Sequence, residues 1–83
     1  MSKIIMGLKL EQRVDTAPKV QELLSKYGCS ISTRVGFHMA SENVCSPHGL
    51  IVLEFIEDAD KEAAALEKEL VELGCAEVQK MVF

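Results

Sequence analysis

The spacing of apolar and polar residues changes along the chain, and each change marks the start of a predicted element. Alternation with a period of two predicts four strands, over residues 3–10, 29–38, 49–56 and 75–83. Apolar residues at helical spacing predict two helices between them, over residues 15–27 and 58–73. The predicted order is strand, helix, strand, strand, helix, strand.

Both predicted helices carry residues that commonly begin or end a helix. Asp15 or Thr16 can cap the first helix and Asp58 the second, because their side-chain oxygens accept hydrogen bonds from free backbone N–H groups of the first turn. Gly28 and Gly74 follow the two helices, and glycine readily takes the left-handed conformation that stops a helix. We therefore expect two short helices that each end just before a strand.

This order of elements predicts an α+β fold of the ferredoxin-like βαββαβ class. Right-handed crossovers would place both helices on one face of a four-stranded antiparallel sheet and leave the other face open. The 83 residues are expected to form a single domain over residues 1–83. A core of this size is small, so association between copies would add stability.

The third predicted strand is apolar on both of its faces. Leu50 and Val52 lie on one side, and Ile51 and Leu53 lie on the other. Because helices cover only one face of the predicted sheet, we expect the second face to pack on another subunit. Glu54 interrupts the first face, and a carboxylate among apolar residues needs a partner.

Composition and charge exclude several classes of protein. The chain has 9 basic and 13 acidic residues and a net charge of −4, and its basic residues are scattered, so no nucleic-acid surface is expected. No apolar run approaches the roughly 20 residues of a membrane span, and the apolar part of the N-terminus is too short for a signal peptide. Three cysteines cannot form a full disulfide framework. We therefore expect a cytoplasmic protein with reduced thiols and without direct nucleic-acid or membrane contact.

The segment from Met39 to His48 is predicted to be a ten-residue polar loop between the second and third strands. Arg34, Gly36 and His38 share one face of the strand that leads into this loop. An arginine beside a glycine can bind the carboxylate or phosphate of a small ligand. The alternative is a structural role, with Arg34 paired to Glu54 on the following strand or to a carboxylate of a partner subunit.

Three side chains that commonly bind metals lie in or beside the same loop. His38, Cys45 and His48 offer two imidazoles and a thiolate, which suit zinc, nickel or copper. The alternative is three solvated or hydrogen-bonded side chains, since no closely spaced ligand pair anchors the set. Cys45 beside His48 could also be an activated nucleophile, but no third orienting residue is evident, so we do not expect an enzyme.

The segment Arg34-Val-Gly-Phe-His38, followed by Gly49-Leu-Ile-Val-Leu-Glu54, resembles the small regulators of the iron-only hydrogenase system. The resemblance covers essentially the whole chain. It implies an ACT-like form of the ferredoxin-like fold, similar in topology to the ligand-binding domain of the nickel-responsive repressor. It also implies a regulatory or sensing module that binds a small ligand as a homodimer or homotetramer assembled through its sheets.

The nickel ligands of that repressor follow a His-x-His … Cys pattern, which this chain matches only in part. His38 and Cys45 fall near the second histidine and the cysteine, whereas Gly36 stands where the first histidine would be. The leading expectation is therefore a small-ligand sensor with Arg34, Gly36 and His38 at its pocket. The alternatives are a metal sensor that binds nickel or zinc through His38, Cys45 and His48, and a ligand-free adaptor between proteins.

Overall fold

The structure is a computed structural model that describes four segments of the chain: 2–10, 17–40, 45–74 and 76–83. Within these segments, side chains are described at all positions except 17, 37–40 and 45–48. The elements are β1 (Ile4–Leu10), α1 (Ala17–Lys26), β2 (Ile31–Ala40), β3 (Cys45–Phe55), α2 (Asp60–Leu73) and β4 (Ala76–Val82). The predicted order of strands and helices is confirmed. Within these four segments, no helix is long and apolar enough to cross a membrane.

The four strands form one antiparallel sheet in the order β2-β3-β1-β4. β1 and β3 are therefore central, and β2 and β4 are edge strands. Next to the start of β1, the backbones of Lys3 and Phe83 exchange two hydrogen bonds of 3.1 and 2.8 Å. Both helices pack on the same face of the sheet. This arrangement confirms the predicted ferredoxin-like, ACT-like βαββαβ fold with two helices on one side.

The hydrophobic core lies between the two helices and one face of the sheet. Alternate residues of β1 and β3 contribute to it, together with one side of each helix, and each of these side chains is 7% exposed or less. The set consists of Ile4, Met6, Leu8, Ile51, Leu53 and Phe55 from the sheet, Val20 and Leu24 from α1, and Ala59, Ala63, Leu66 and Leu70 at α2. Burying a large apolar side chain contributes about 1.5–3 kcal/mol, so this layer is the main source of stability.

The C-terminus of α2 ends as its sequence predicts. Gly74 has a φ of 76°, in the left-handed region, and it follows directly after the last helical residue, Leu73. Its N–H donates to the carbonyl oxygens of Leu70 and Val71 at 3.3 and 3.1 Å. These bonds satisfy carbonyl groups that have no partner within the helix, so Gly74 both stops α2 and turns the chain into β4.

The C-terminus of α1 differs, and the prediction that Gly28 is left-handed is wrong. The chain instead passes from α1 into a right-handed 3₁₀ turn over Gly28–Ser30. The N–H of Ser30 donates to the carbonyl oxygen of Tyr27 at 2.9 Å and closes this turn. Because the turn uses residues that the alternation assigned to a strand, β2 begins at Ile31.

The prediction that Asp58 caps α2 is also wrong. The N-cap residue is Ala59, and no side chain bonds to the first turn from that position. Asp58 has a φ of 60°, which aspartate tolerates better than most residues, and its carboxylate accepts a hydrogen bond of 2.9 Å from the N–H of Ser2. The Ser2 hydroxyl donates to Asp60 in the first turn of α2. Asp58 therefore ties the segment before β1 to the start of α2.

The prediction of a ten-residue loop over residues 39–48 is wrong, because much of this segment is strand. β2 continues to Ala40 and β3 begins at Cys45, and these two residues are paired. The connection between them, residues 41–44, lies outside the described residues. The polar sequence can continue as strand because β2 lies at the edge of the sheet. An edge strand pairs along one side only, and this pairing is made by backbone hydrogen bonds that do not require apolar side chains.

The extended hairpin contains an irregular pairing. His38 pairs with Gly49 and Ala40 pairs with Cys45, so β3 has more residues than β2 between these two pairs. Pro47 lies in this bulged part of β3. A proline lacks the N–H that a regular ladder requires, and bulges are among the few places where a strand tolerates it.

A second irregularity lies at the start of β2. Ile31 pairs with Phe55, which is buried, whereas Thr33 pairs with Glu54 on the opposite face. Simple alternation would place Ile31 and Thr33 on the same face. A β-bulge at Ser32 separates them, so Ile31 packs against the core and Thr33 does not.

Candidate functional site

Arg34 lies on edge strand β2, on the face of the sheet that the helices cover. It pairs with Leu53, and directly paired residues in an antiparallel ladder lie on the same face. Its guanidinium donates a hydrogen bond to the side-chain oxygen of Gln21 on α1. Because β2 is at the edge of the sheet, Arg34 is nevertheless exposed. The side chain therefore links β2 to α1 and still presents its charge to solvent.

Of the two predicted structural alternatives for Arg34, the pair with Glu54 does not form. Glu54 lies on the opposite face, where it accepts a hydrogen bond of 2.8 Å from the Thr33 hydroxyl and contacts the Lys3 ammonium at 3.0 Å. The hydroxyl bond and the nearby cation lower the pKa of Glu54 below its usual value. The prediction that this carboxylate needs a partner is confirmed, but its partners are Lys3, which lies just before β1, and Thr33 on β2, rather than Arg34.

Gly36 follows Arg34 on the same face, paired with Ile51. A Cβ placed on Gly36 would meet no atom within 4 Å, and the residue is exposed. The backbone beside Arg34 is therefore open to approach by a small molecule. A guanidinium next to an accessible backbone is suited to a carboxylate or phosphate, since it can donate two parallel hydrogen bonds.

The backbones of His38, Cys45 and His48 lie at one end of the β2–β3 hairpin. His38 pairs with Gly49, the neighbour of His48, and Ala40 pairs with Cys45. The side chains of the three predicted metal ligands lie outside the described residues, so the structure does not test whether they converge. Among the side chains that are described, no group of three histidine, cysteine, aspartate or glutamate residues could hold a metal ion.

The helix layer contains a polar cluster that the sequence analysis did not identify. Glu69 on α2 accepts hydrogen bonds from the Tyr27 hydroxyl and from the Lys26 ammonium, the latter at 3.0 Å. The hydroxyl bond and the ammonium lower the pKa of Glu69, and the same carboxylate raises the pKa of Lys26. Spacing along the chain could not have revealed this cluster, because it depends on how α1 packs beside α2. Its role is to join the two helices.

The sheet face that the helices leave uncovered, called the open face below, is largely apolar. Val35, Leu50 and Met81 are 42%, 44% and 56% exposed. Ile5 and Val52 are half-buried on the same face. The predicted two-sided character of β3 is thus confirmed, with one side buried under the helices and the other in solvent.

A shallow depression of about 260 Å³ lies on the open face. Gly7 lies within it, and the surrounding residues include Ile5, Val52, Gln79 and Met81. A Cβ at Gly7 would lie 3.9 Å from the backbone oxygen of Gln79, which is an ordinary contact. Packing within one chain therefore does not require glycine at this position.

No family model matches the sequence, and neither does any curated protein. Solved structures share the fold. An uncharacterised protein from Thermotoga maritima superposes with a TM-score of 0.74 and 24% identity, over 100% of this chain and 99% of that one. A nitrogen regulatory PII-like protein from Thiomonas intermedia K12, bound to ADP, AMP and bicarbonate, gives a TM-score of 0.64 at 10% identity, over 100% and 91% of the two chains.

The fold also occurs as part of a larger enzyme. Prephenate dehydratase from Streptococcus mutans matches with a TM-score of 0.60 and 13% identity, over 98% of this chain but only 40% of that one. All of these identities are low, so the similarity shows the fold and does not transfer an activity.

Proposed function

We propose that this chain is a regulatory module that binds a small anionic ligand beside Arg34, Gly36 and His38 and works as a homodimer or homotetramer. The fold supports this proposal, because the PII-like protein with the same architecture is bound to ADP, AMP and bicarbonate. The resemblance of residues 34–38 and 49–54 to regulators of the iron-only hydrogenase system supports a role in that system. We propose no chemical reaction for the chain.

The observation that carries the proposal is the environment of Arg34. In the part of the chain that the structure describes, its side-chain hydrogen bond is to the neutral amide of Gln21, and no carboxylate there forms an ion pair with it. The bond holds the guanidinium in place without neutralising its charge. The bare backbone at Gly36 leaves room for a ligand beside it.

The test is a binding titration with the ligands that the shared fold suggests. Isothermal titration with ADP, AMP and bicarbonate should detect binding to the wild-type protein. Arg34→Gln should weaken it by roughly 10- to 100-fold, because a hydrogen bond to a charged group contributes about 1.5–3 kcal/mol. Lys61→Gln removes an exposed cation on α2 and serves as the matched control. Equal affinities for the two variants, or no binding to any of the three ligands, would contradict the proposal.

A second candidate function is metal sensing through His38, Cys45 and His48. The backbone pairing favours it, because it brings all three positions to the same end of one hairpin. Protein purified without tag or chelator should then contain nickel or zinc when analysed by elemental mass spectrometry. Cys45→Ser should lower the metal content, whereas Cys29→Ser, at an exposed cysteine outside the hairpin end, should not. Full metal content in the Cys45 variant would rule this candidate out.

A further inference from the structure

The side-chain amide of Gln21 has a defined orientation, because its partner is an arginine. A guanidinium has only N–H donors, so the atom of Gln21 that bonds to Arg34 is the side-chain oxygen. The amide nitrogen carries two further N–H donors, and covalent geometry holds it next to that oxygen. Among the described residues, no acceptor bonds to this nitrogen. Arg34 and Gln21 therefore form one group of donors between β2 and α1.

This group of donors can hold an anion from two directions. The bond to Gln21 uses one N–H of Arg34 and leaves the other N–H groups of the guanidinium for a ligand. A guanidinium can donate two parallel hydrogen bonds to two oxygens of one anion. The amide nitrogen of Gln21 lies beside the guanidinium and can donate to a third oxygen. The arrangement is therefore suited to an anion with three acceptor oxygens on one atom.

The anions of the proposed function differ in this respect. A phosphate monoester presents three terminal oxygens and carries between about 1.5 and 2 negative charges at neutral pH. Bicarbonate carries a single charge, and one of its oxygens is a hydroxyl that needs an acceptor of its own. A site that offers donors and a positive charge therefore favours the phosphate.

Helix α1 keeps carboxylates away from this site. Consecutive residues of a helix point about 100° apart, so Glu22 does not share the direction of Gln21. Glu22 instead lies at a depression between α1 and α2, which is lined by three carboxylates, Glu22, Glu69 and Glu72, and by one lysine, Lys19. The fold thus places acidic groups between the two helices and the cation at the edge of the sheet. An anion is repelled from the former and attracted to the latter.

From these observations we infer that Gln21 is a second binding residue of the Arg34 site, and that the site takes a terminal phosphate group. The inference rests on the proposed function and names the kind of anion that is bound. Arg34 holds two oxygens of the phosphate, and the amide of Gln21 donates to the third. The exposed backbone at Gly36 leaves space for the remainder of the ligand. A nucleotide and free inorganic phosphate share this chemistry.

The first test removes the amide and keeps the charge of Arg34. Isothermal titration with AMP, inorganic phosphate, bicarbonate and adenosine compares wild type with Gln21→Leu. The variant should bind AMP and phosphate roughly 10-fold more weakly, since one hydrogen bond to the anion is lost, and bicarbonate less than about 3-fold more weakly. A residue that only held Arg34 in place would weaken the binding of all three anions alike. Adenosine, which lacks the phosphate, should not bind.

The second test places a carboxylate beside Arg34. Gln21→Glu has nearly the same shape as wild type, and it should weaken phosphate binding by roughly 100-fold, because the new carboxylate bonds to the guanidinium and repels the anion. Gln79→Glu makes the same change of charge at an exposed glutamine on the open face. This control should bind phosphate within about 2-fold of wild type, because salt screens a distant surface charge. Circular dichroism verifies that each variant is folded.

The outcomes separate this inference from the proposed function. Binding of AMP that depends on Arg34 but is unchanged in both Gln21 variants would overturn the role of Gln21 and leave the proposed function intact. An equal loss for all three anions in Gln21→Leu would also overturn that role. Binding of bicarbonate without phosphate or AMP, or binding of adenosine as tightly as AMP, would overturn the phosphate assignment alone. Among supporting results, AMP bound more tightly than inorganic phosphate indicates a nucleotide, and equal affinities indicate free phosphate. A wild-type protein that binds none of these anions would contradict the proposed function and this inference together.

Discussion

The two faces of the sheet are built from the same strands but have opposite environments. On β3, Ile51 and Leu53 are 7% and 0% exposed beneath the helices, whereas their neighbour Leu50 is 44% exposed on the open face. Alternation along the strand shows that both faces are apolar, but it cannot show which one the helices cover. The crossover connections decide that, because both helices return on the same side.

The two faces also differ in their polar groups. Among the described residues, no polar or charged side chain is buried on the covered side. The open face instead mixes apolar residues with the bonded group of Lys3, Thr33 and Glu54. A surface that contains both kinds of side chain can be exposed to water, whereas the covered face is buried beneath the helices.

The largest effect should come from removing a core side chain. Phe55→Ala should lower the free energy of unfolding by about 3–5 kcal/mol, since it removes a fully buried ring and leaves a cavity. Leu50→Ala, on the open face of the same strand, should lower it by less than about 1 kcal/mol within a single chain. Urea unfolding of the two variants measures both losses. Similar losses for the two variants would show that the faces do not differ as described.

A smaller effect should distinguish the two helix ends on the covered side. Gly74→Ala should destabilise the protein by about 1–2 kcal/mol, because alanine is strained at the φ of 76° found there. Gly28→Ala should be neutral or slightly stabilising, since Gly28 is right-handed and no atom lies within 4 Å of a Cβ built on it. Thermal unfolding of the two variants provides the comparison. A larger loss at Gly28 would mean that the 3₁₀ turn is wrongly placed.

The smallest effect should appear on the open face as a dependence on pH. The pKa of Glu54 is lowered in the folded protein, by the Thr33 hydroxyl first and by Lys3 second. The contribution of Glu54 to the free energy of unfolding is therefore complete above the pKa that Glu54 has in the unfolded chain. That contribution is lost as the pH falls through the folded pKa. The stability difference between wild type and Glu54→Gln should therefore shrink as the pH drops from about 5 to about 3. A stability difference that stays constant over this pH range would show that Glu54 does not make the bonds described. Thr33→Val, which removes the hydroxyl, should show a weaker dependence of stability on pH than wild type.

The sequence predicts those parts of the fold that depend on local periodicity. The stripe of Leu66, Leu70 and neighbouring apolar residues places α2, and the alternation in β1 and β3 places the two central strands. The left-handed conformation of Gly74 is predicted correctly for the same reason. The last carbonyl groups of α2 have no partner within the helix, and a left-handed residue directly after the helix lets backbone N–H groups bond to them. In each case the information lies within a few residues of the feature.

Two of the incorrect predictions, the Asp58 cap and the pair between Arg34 and Glu54, have a different cause, which is a partner far away in the chain. Asp58 could have capped α2, but Ser2 lies beside it in the fold and takes its hydrogen bond. In the candidate site, the common face of Arg34 and Gly36 follows from alternation, whereas the bond from Arg34 to Gln21 requires α1 to pack against the edge of the sheet. A sequence pattern contains no information about such distances.

The strand pairing also bears on how the chain folds. The hairpin of β2 and β3 is formed by neighbouring segments, so it can form early and at little cost in chain entropy. The central strand β1 must wait for distant parts of the chain, since Ile5 pairs with Glu54 and Gly7 with Gln79. Such long-range pairing slows folding, so a domain of this kind should fold more slowly than a helical bundle of equal length. The segment that holds the candidate site would therefore take shape before the sheet that supports it is complete.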